Sequence, residues 1–160
     1  MESVRVAVAD DADRFEELAD ELIGWIASQR GGSLLLGQAG RRPWDRLGAG
    51  SFAALLADSD RLVVMGTLDG VVTATATGHV VTLEGGDRLG VVDGCYVEEG
   101  ARGVGLGQLL TETVVAWLDG QGCLGVDALA LPGDRTAKQL LETTGFKARL
   151  LTMHRSFDRS

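Results

Sequence analysis

Between an apolar strand-like run and an apolar helix-like run, the chain inserts Gly103, Gly105 and Gly107 within "YVEEGARGVGLGQLLTETVVAWL", residues 96–118. Inside regular structure glycine costs roughly 0.5–1 kcal/mol per site relative to alanine. Three of them, alternating with Val104 and Leu106, stand where a helix has to begin. A helix N-terminus leaves its first amides unpaired and carries the positive end of the peptide dipole. Alternate glycines let several such amides converge on a phosphate with no Cβ in the way. Arg102, just ahead, adds a forked cation suited to phosphate oxygens. Strand, bend and helix together predict an anion site.

Two familiar phosphate loops do not fit. A mononucleotide P-loop ends in Gly-Lys-Ser/Thr, and here the chain runs Gly107-Gln108-Leu109. A dinucleotide fingerprint needs a third glycine where Gln108 stands, and it follows the first strand rather than a late one.

The rest of the chain reads as alternating strands and helices. "VRVAVADD" from Val4 has period two and ends on acids that suit a helix cap. Phe15, Leu18, Leu22, Trp25 and Ile26 then recur at helical spacing until Gly31-Gly32. Gly31 to Gly50, with Pro43 and Trp44, is the longest irregular connection and is expected to wall part of a site. "SFAALLADSD" is a short helix. Residues 61–97 read as three strands joined by Leu68-Asp69-Gly70 and Glu84-Gly85-Gly86-Asp87, a β-meander. A helix bearing Leu106, Leu109, Leu110, Val114, Trp117 and Leu118 follows, then the strand "CLGVDALAL". A helix opened by Pro132-Gly133-Asp134 and stopped by Gly145 comes next, then "FKARLLTMHRSF" as a closing strand or hairpin. The expected fold is one α/β (α+β) domain over residues 1–160. It has a mixed, mainly antiparallel twisted sheet of about six or seven strands flanked by four helices.

Charge and composition narrow the function. With 23 acids against 15 bases, the net charge of −8 repels nucleic acid and anionic membranes and mildly favours cationic partners. Cys95, Cys123, His79 and His154 offer neither a disulfide framework nor metal-ligand spacing, so no metal is expected. No apolar run approaches the ~18 residues of a membrane span, and the acidic start lacks a secretory profile. The expected location is the cytoplasm.

"RGVGLG" resembles the Arg/Gln-x-x-Gly-x-Gly/Ala pyrophosphate loop of the GNAT superfamily of acyl-CoA-dependent N-acetyltransferases. The opening strand with its acidic helix cap, the "CYV" before the loop, and "DRTAKQLLETTGF" with Ala137 and Gly145-Phe146 are similar too. The resemblance spans nearly the whole chain and is densest from Asp87 to Phe146. It implies acetyl-CoA as co-substrate and no metal. The pyrophosphate would lie on Arg102, Gly103, Val104, Gly105, Leu106, Gly107 and Gln108. The pantetheine would run along Cys95, Tyr96 and Val97 as a pseudo-strand, with Asp134 at the start of the last helix nearby. Gly94, a glycine inside a strand, independently suggests a bulge or a close backbone approach. The Val97 amide would act as an oxyanion donor. A homodimer is usual for proteins resembling this family.

The chemistry expected is transfer to a primary amine of a small-molecule or peptide acceptor, by direct attack in a ternary complex. An amine of lysine type, with a pKa of about 10.4, has to lose a proton first. Asp93, four residues before Val97 and by simple alternation on its face, is the candidate base, with a buried structural Asp as the competing reading. The chain departs from the family where tyrosine is common in the last helix: Leu141 stands there and donates no proton. Tyr96 is a conceivable replacement, although alternation turns it from Val97's face. Cys95 as nucleophile lacks a histidine partner. His79 and Trp44 are candidates for the acceptor wall. Two other readings compete: a catalytically weak or inactive CoA-binding sensor, motivated by Leu141, and a phosphate-binding globule unrelated to CoA.

Overall fold

The computed structural model describes residues 1–38 and 52–159. Five strands form one sheet in sequence order: β1 Glu2–Val6, β2 Arg61–Leu68, β3 Val71–Thr82, β4 Arg88–Val97 and β5 Cys123–Ala128. The first four pair antiparallel, and β5 runs parallel to β4. The meander forms because Asp69 and Gly70 both adopt positive φ, 50° and 83°, in a two-residue turn that matches the twist of its strands.

The helices are α1 Ala12–Ser28, α2 Gly32–Gly37, α3 Phe52–Ala57, α4 Leu106–Gly120 and α5 Arg135–Thr143. Each face of the sheet has its own apolar layer. Phe15, Leu18, Leu22 and Ile26 of α1 meet Phe52, Leu55, Val63 and Met65 on one side. Leu106, Leu110, Val114 and Leu118 of α4 cover Val64, Ala74, Ala76 and Val92 on the other. Gly78 lets α4 lie against the sheet, since a Cβ there would stand 2.4 Å from a Val114 methyl.

Two expectations about the fold need correction. Among the described residues the sheet has five strands, not six or seven, because residues 146–157 form no strand and join no ladder. Among the described residues there are five α-helices, not four, since the start of the supposedly irregular Gly31–Gly50 connection is α2, whose N-cap Gly31 has φ 81°. Trp44 and Pro43 lie outside the described residues.

The entry into α1 is held by a buried carboxylate. Asp11 accepts from Arg5 through both oxygens, at 2.7 and 2.8 Å, and from the Val8 amide at 2.8 Å. The Arg5 hydrogen bonds hold the Asp11 carboxyl below its ordinary range, against the opposing effect of burial. A depressed folded pKa gives stability that is present above the unfolded value and lost as pH falls through the folded one. Denaturant midpoints should therefore drop below about pH 4, and Asp11→Asn should flatten that drop. At pH 7 the variant should lose about 1–2 kcal/mol, Arg5 being partly exposed.

Candidate active site

The site is built where two neighbouring strands part. β4 and β5 pair only from Arg88 to Val92 on one side and from Cys123 to Ala128 on the other. Beyond Val92 the ladder to β3 jumps from Gly78↔Val92 to Thr77↔Gly94, so Asp93 is an extra residue in β4. Such a bulge bends its strand and raises the local twist, which carries β4 away from β5. Gly94 next to it is the sequence signal for this bulge.

The parting leaves one edge of β4 without a strand. The Glu98 amide donates to the Thr73 carbonyl at 2.9 Å, which fixes the phase of the β3–β4 ladder. Cys95 and Val97 therefore turn their backbone groups the other way, toward the gap. The Val97 carbonyl accepts from Arg102 Nε at 2.8 Å.

Directly beyond that edge, α4 begins at Gly105, whose φ of 87° is left-handed, following Gly103 at 85°. No side chain caps this N-terminus. The first intrahelical bond is Leu109 N–H to Gly105 O, at 3.0 Å. The amides of residues 103–108 find no acceptor among the described residues. Gly107 forms the floor where the helix passes Val97 and Leu140, with ideal Cβ contacts of 3.6 and 3.5 Å.

A cavity of about 480 Å³ joins these features and runs through the gap. On the α4 side it meets Val97, Gly103, Gly105, Gly107, Gln108 and Thr111; α5 contributes Leu140 and Leu141. On the α1 side it meets Leu22, Trp25, Ile26, Leu35, Tyr96 and Leu131. One space thus touches the unpaired amides at the start of α4, a free strand edge and an apolar chamber.

The bulge also moves a side chain. Simple alternation puts Asp93 with Cys95 and Val97, but those two pack toward α4. The extra residue turns Asp93 to the opposite face, with Thr77, Arg61 and His79. Its Oδ2 accepts from Arg61 and, at 3.2 Å, from Thr77 Oγ1. Its Oδ1 faces His79 Nδ1 in a close contact that lacks hydrogen-bond alignment. The Arg61 side chain is 2% exposed and that of Asp93 7%. His79 belongs to this cluster and is absent from the cavity wall.

Arg102 places its guanidinium 5.6 Å from the ring centroids of both Trp25 and Tyr96. Burial first, then a hydrogen bond to Glu21, push the Tyr96 phenol above its ordinary value. Asp134 caps α5 by accepting from Ala137 N at 3.1 Å, and its other oxygen accepts from Trp25 Nε1 at 3.1 Å. Val104 is exposed at the loop crest, Leu106 is buried beneath α4, and the Gln108 amide donates to Glu112. Sequence reading had no signal for the Trp25–Asp134 tether, nor for Arg61 as the partner of Asp93.

Cys95 lines the cavity beside Thr111, 3.9 Å from its hydroxyl. Burial pushes its thiol up to about 11, which leaves almost no thiolate at pH 8. Iodoacetamide should label Cys95 at least about 100-fold more slowly than a free cysteine, as read by peptide mass. A reactive Cys95 would contradict its raised thiol pKa.

The acetyltransferase (GNAT) family model matches residues 35–146, more than half of the chain. The chain belongs to the GNAT acetyltransferase family. No curated protein matches this GNAT chain. Among solved structures it is similar to AAC(6')-Iy in complex with a CoA-S-monomethyl-acetylneamine bisubstrate analogue, with TM-score 0.70 and 16% identity over 99% of both chains. It is also similar to glucosamine-6-phosphate N-acetyltransferase from Arabidopsis thaliana, at TM-score 0.67 and 18% identity over 99% of both chains. A third is ribosomal-protein-alanine N-acetyltransferase from Brucella melitensis biovar Abortus 2308, at TM-score 0.67 and 18% identity over 99% of this chain and 100% of that one. At these identities the likenesses establish the fold of this GNAT acetyltransferase. Among its described residues no cluster of three metal-ligating side chains occurs, and no helix is long and apolar enough to cross a membrane.

Proposed function

We propose that this protein moves an acetyl group from acetyl-CoA to a primary amine, by direct attack with both substrates held in the one cavity. The observation that carries the reading is the joining of a free β4 edge to the unpaired amides at the start of α4. Those amides suit a diphosphate, and the Cys95 and Val97 edge suits an extended amide-bearing arm. Acetyl-CoA supplies the thioester-activated acetyl group. The Val97 N–H donates to the carbonyl oxygen where negative charge develops.

The amine enters from the α1 side, among Leu22, Trp25, Leu35 and Tyr96. The ammonium first gives one proton to water; its nitrogen then bonds to the carbonyl carbon, the carbon–sulfur bond breaks, and the second N–H proton passes to water as the amide forms. In this scheme Asp93 holds the bulge open, because both its oxygens face partners of the fold. Asp134 positions α5 against α1 in the same way. Leu141 has no proton to give, so the sulfur departs as thiolate. For a thiol of pKa ~8.5 at pH 7, this costs about 2 kcal/mol.

The acceptor class follows from the acidic balance and the apolar chamber: a cationic amine, in a small molecule or a peptide, attached to an apolar portion. Thermal unfolding with acetyl-CoA and free-thiol release over an amine panel test the scheme together. At 100 times Kd the bound donor should add ~2.7 kcal/mol. No stabilisation removes the CoA reading. Stabilisation with no thiol release on any amine favours a CoA sensor, the reading that Leu141 supports.

A further inference from the structure

Three charged side chains line the cavity among the described residues, Asp93, Arg102 and Asp134. Two of them are engaged by the fold. Asp93 is held by Arg61 and Thr77, and Asp134 accepts from Ala137 N and Trp25 Nε1. Arg102 is different. Arg5, Arg14, Arg61, Arg88 and Arg149 each grip a carboxylate, whereas no ion pair engages Arg102 among the described residues. A ligand pocket is mostly apolar, and the few polar groups placed in its wall fix what it takes. Here the one cation of that wall has no countercharge.

The fold orders this side chain before any ligand arrives. Its Nε donates to the Val97 carbonyl at 2.8 Å. Its guanidinium stands over both Trp25 and Tyr96, residues of the α1-side wall. Trp25 is fixed by its hydrogen bond to Asp134, and Tyr96 by the β3–β4 ladder, where it pairs with Thr75. Nε–H is taken by Val97 and one further N–H by the Tyr96 oxygen, which leaves the rest of a five-donor fork open. A planar fork that is already ordered loses little freedom on binding, and it matches the two oxygens of a carboxylate.

We propose that Arg102 receives a carboxylate of the acceptor, and that the acceptor is an α-amino acid with an apolar side chain. The proposal rests on the acetyl-transfer reading of the cavity and narrows its acceptor. Arg102 leans on Val97, the residue whose N–H meets the thioester carbonyl in that reading. A nitrogen attacking there and a carboxylate on the guanidinium are both held around one residue. That suits the short spacing of an α-amino acid and not the distant ends of a polyamine. Leu22, Ile26, Leu35 and Leu131 then receive the apolar side chain. Such an acceptor is neutral overall, so the net charge of −8 neither steers nor repels it. The competing occupant of the fork is the diphosphate of the donor.

The test reads free-thiol release from acetyl-CoA on acceptors that differ only in the carboxylate: L-phenylalanine against phenethylamine, L-leucine against isoamylamine, L-tryptophan against tryptamine. The acids should be used at least about 10-fold better in kcat/KM. Arg102→Gln should erase that preference, through the KM of the acids, and Arg102→Lys should restore part of it. Calorimetry of acetyl-CoA on each protein is the second readout. Equal or better use of the amines lacking a carboxylate overturns the proposal and leaves acetyl transfer standing. A preference that survives Arg102→Gln overturns it as well. If that variant binds acetyl-CoA more weakly at the same time, the fork belongs to the donor diphosphate. Acetyl-CoA bound with neither series acetylated overturns the proposal and favours the sensor. Acetyl-CoA failing to bind the unaltered protein removes the acetyl-transfer reading and this proposal together.

Discussion

Arg61→Met should destabilise the protein by about 3–5 kcal/mol, seen as a lower urea midpoint with an unchanged slope. Arg61 and Asp93 are both almost wholly buried, and among the described residues the guanidinium is the one full countercharge given to that carboxylate. Removing it leaves Asp93 with a Thr77 hydrogen bond of 3.2 Å and a poorly aligned imidazole. A neutral hydrogen bond contributes about 1 kcal/mol, far below the cost of an uncompensated buried charge, so the penalty wins. Melting should fall by roughly 10 °C, given the ~2–4 °C per kcal/mol of domains this size. Arg61→Met with Asp93→Leu, which removes both charges, should recover most of the loss. Recovery failing in the double variant would show that shape, not charge balance, governs the site. Asp93→Asn alone separates position from proton transfer. A base would be lost together with the rising limb of the pH–rate profile, whereas an anchor of the bulge lowers stability and leaves that limb in place.

The same cluster shows where sequence reading reaches its limit. Turn chemistry is local, so Asp69-Gly70 and the 84–87 turn announced the meander, and Asp134 announced its cap. The glycines before α4 announced a left-handed bend into an uncapped helix start, because their spacing carries the information. Faces of a strand are legible only while the period of two holds. One inserted residue at Asp93 reversed the assignment, turning it from Val97 toward Tyr96 and Arg61. Gly94 signalled the bulge without fixing its register. Arg61 lies 32 residues from Asp93 and reads as an ordinary strand start, so no local pattern could pair them. The segment after Gly145 has the composition of a strand and was expected to be one. Composition reports what a segment can pair with, and among the described residues no strand brings a ladder to it.

Gly105→Ala and Gly70→Ala should cost similar stability and differ wholly in acetyl-CoA binding. Both residues hold left-handed φ, 87° and 83°, and neither has an atom within 4 Å of an ideal Cβ. The penalty of each is therefore the backbone one alone, about 1–2 kcal/mol for an L-residue. Gly70 sits in the β2–β3 turn, outside the cavity, so its variant should show the full ligand-induced stabilisation. Gly105 is the N-cap of α4, among the amides that find no acceptor among the described residues. A methyl there, or the shift in φ that relieves it, takes the neighbouring amides out of convergence. Losing two charge-assisted hydrogen bonds of ~1.5–3 kcal/mol each weakens binding by at least about 100-fold. Isothermal titration of both variants reads this directly. Equal affinities would mean that the bend turns the chain and nothing more, and the cradle would have to be sought elsewhere.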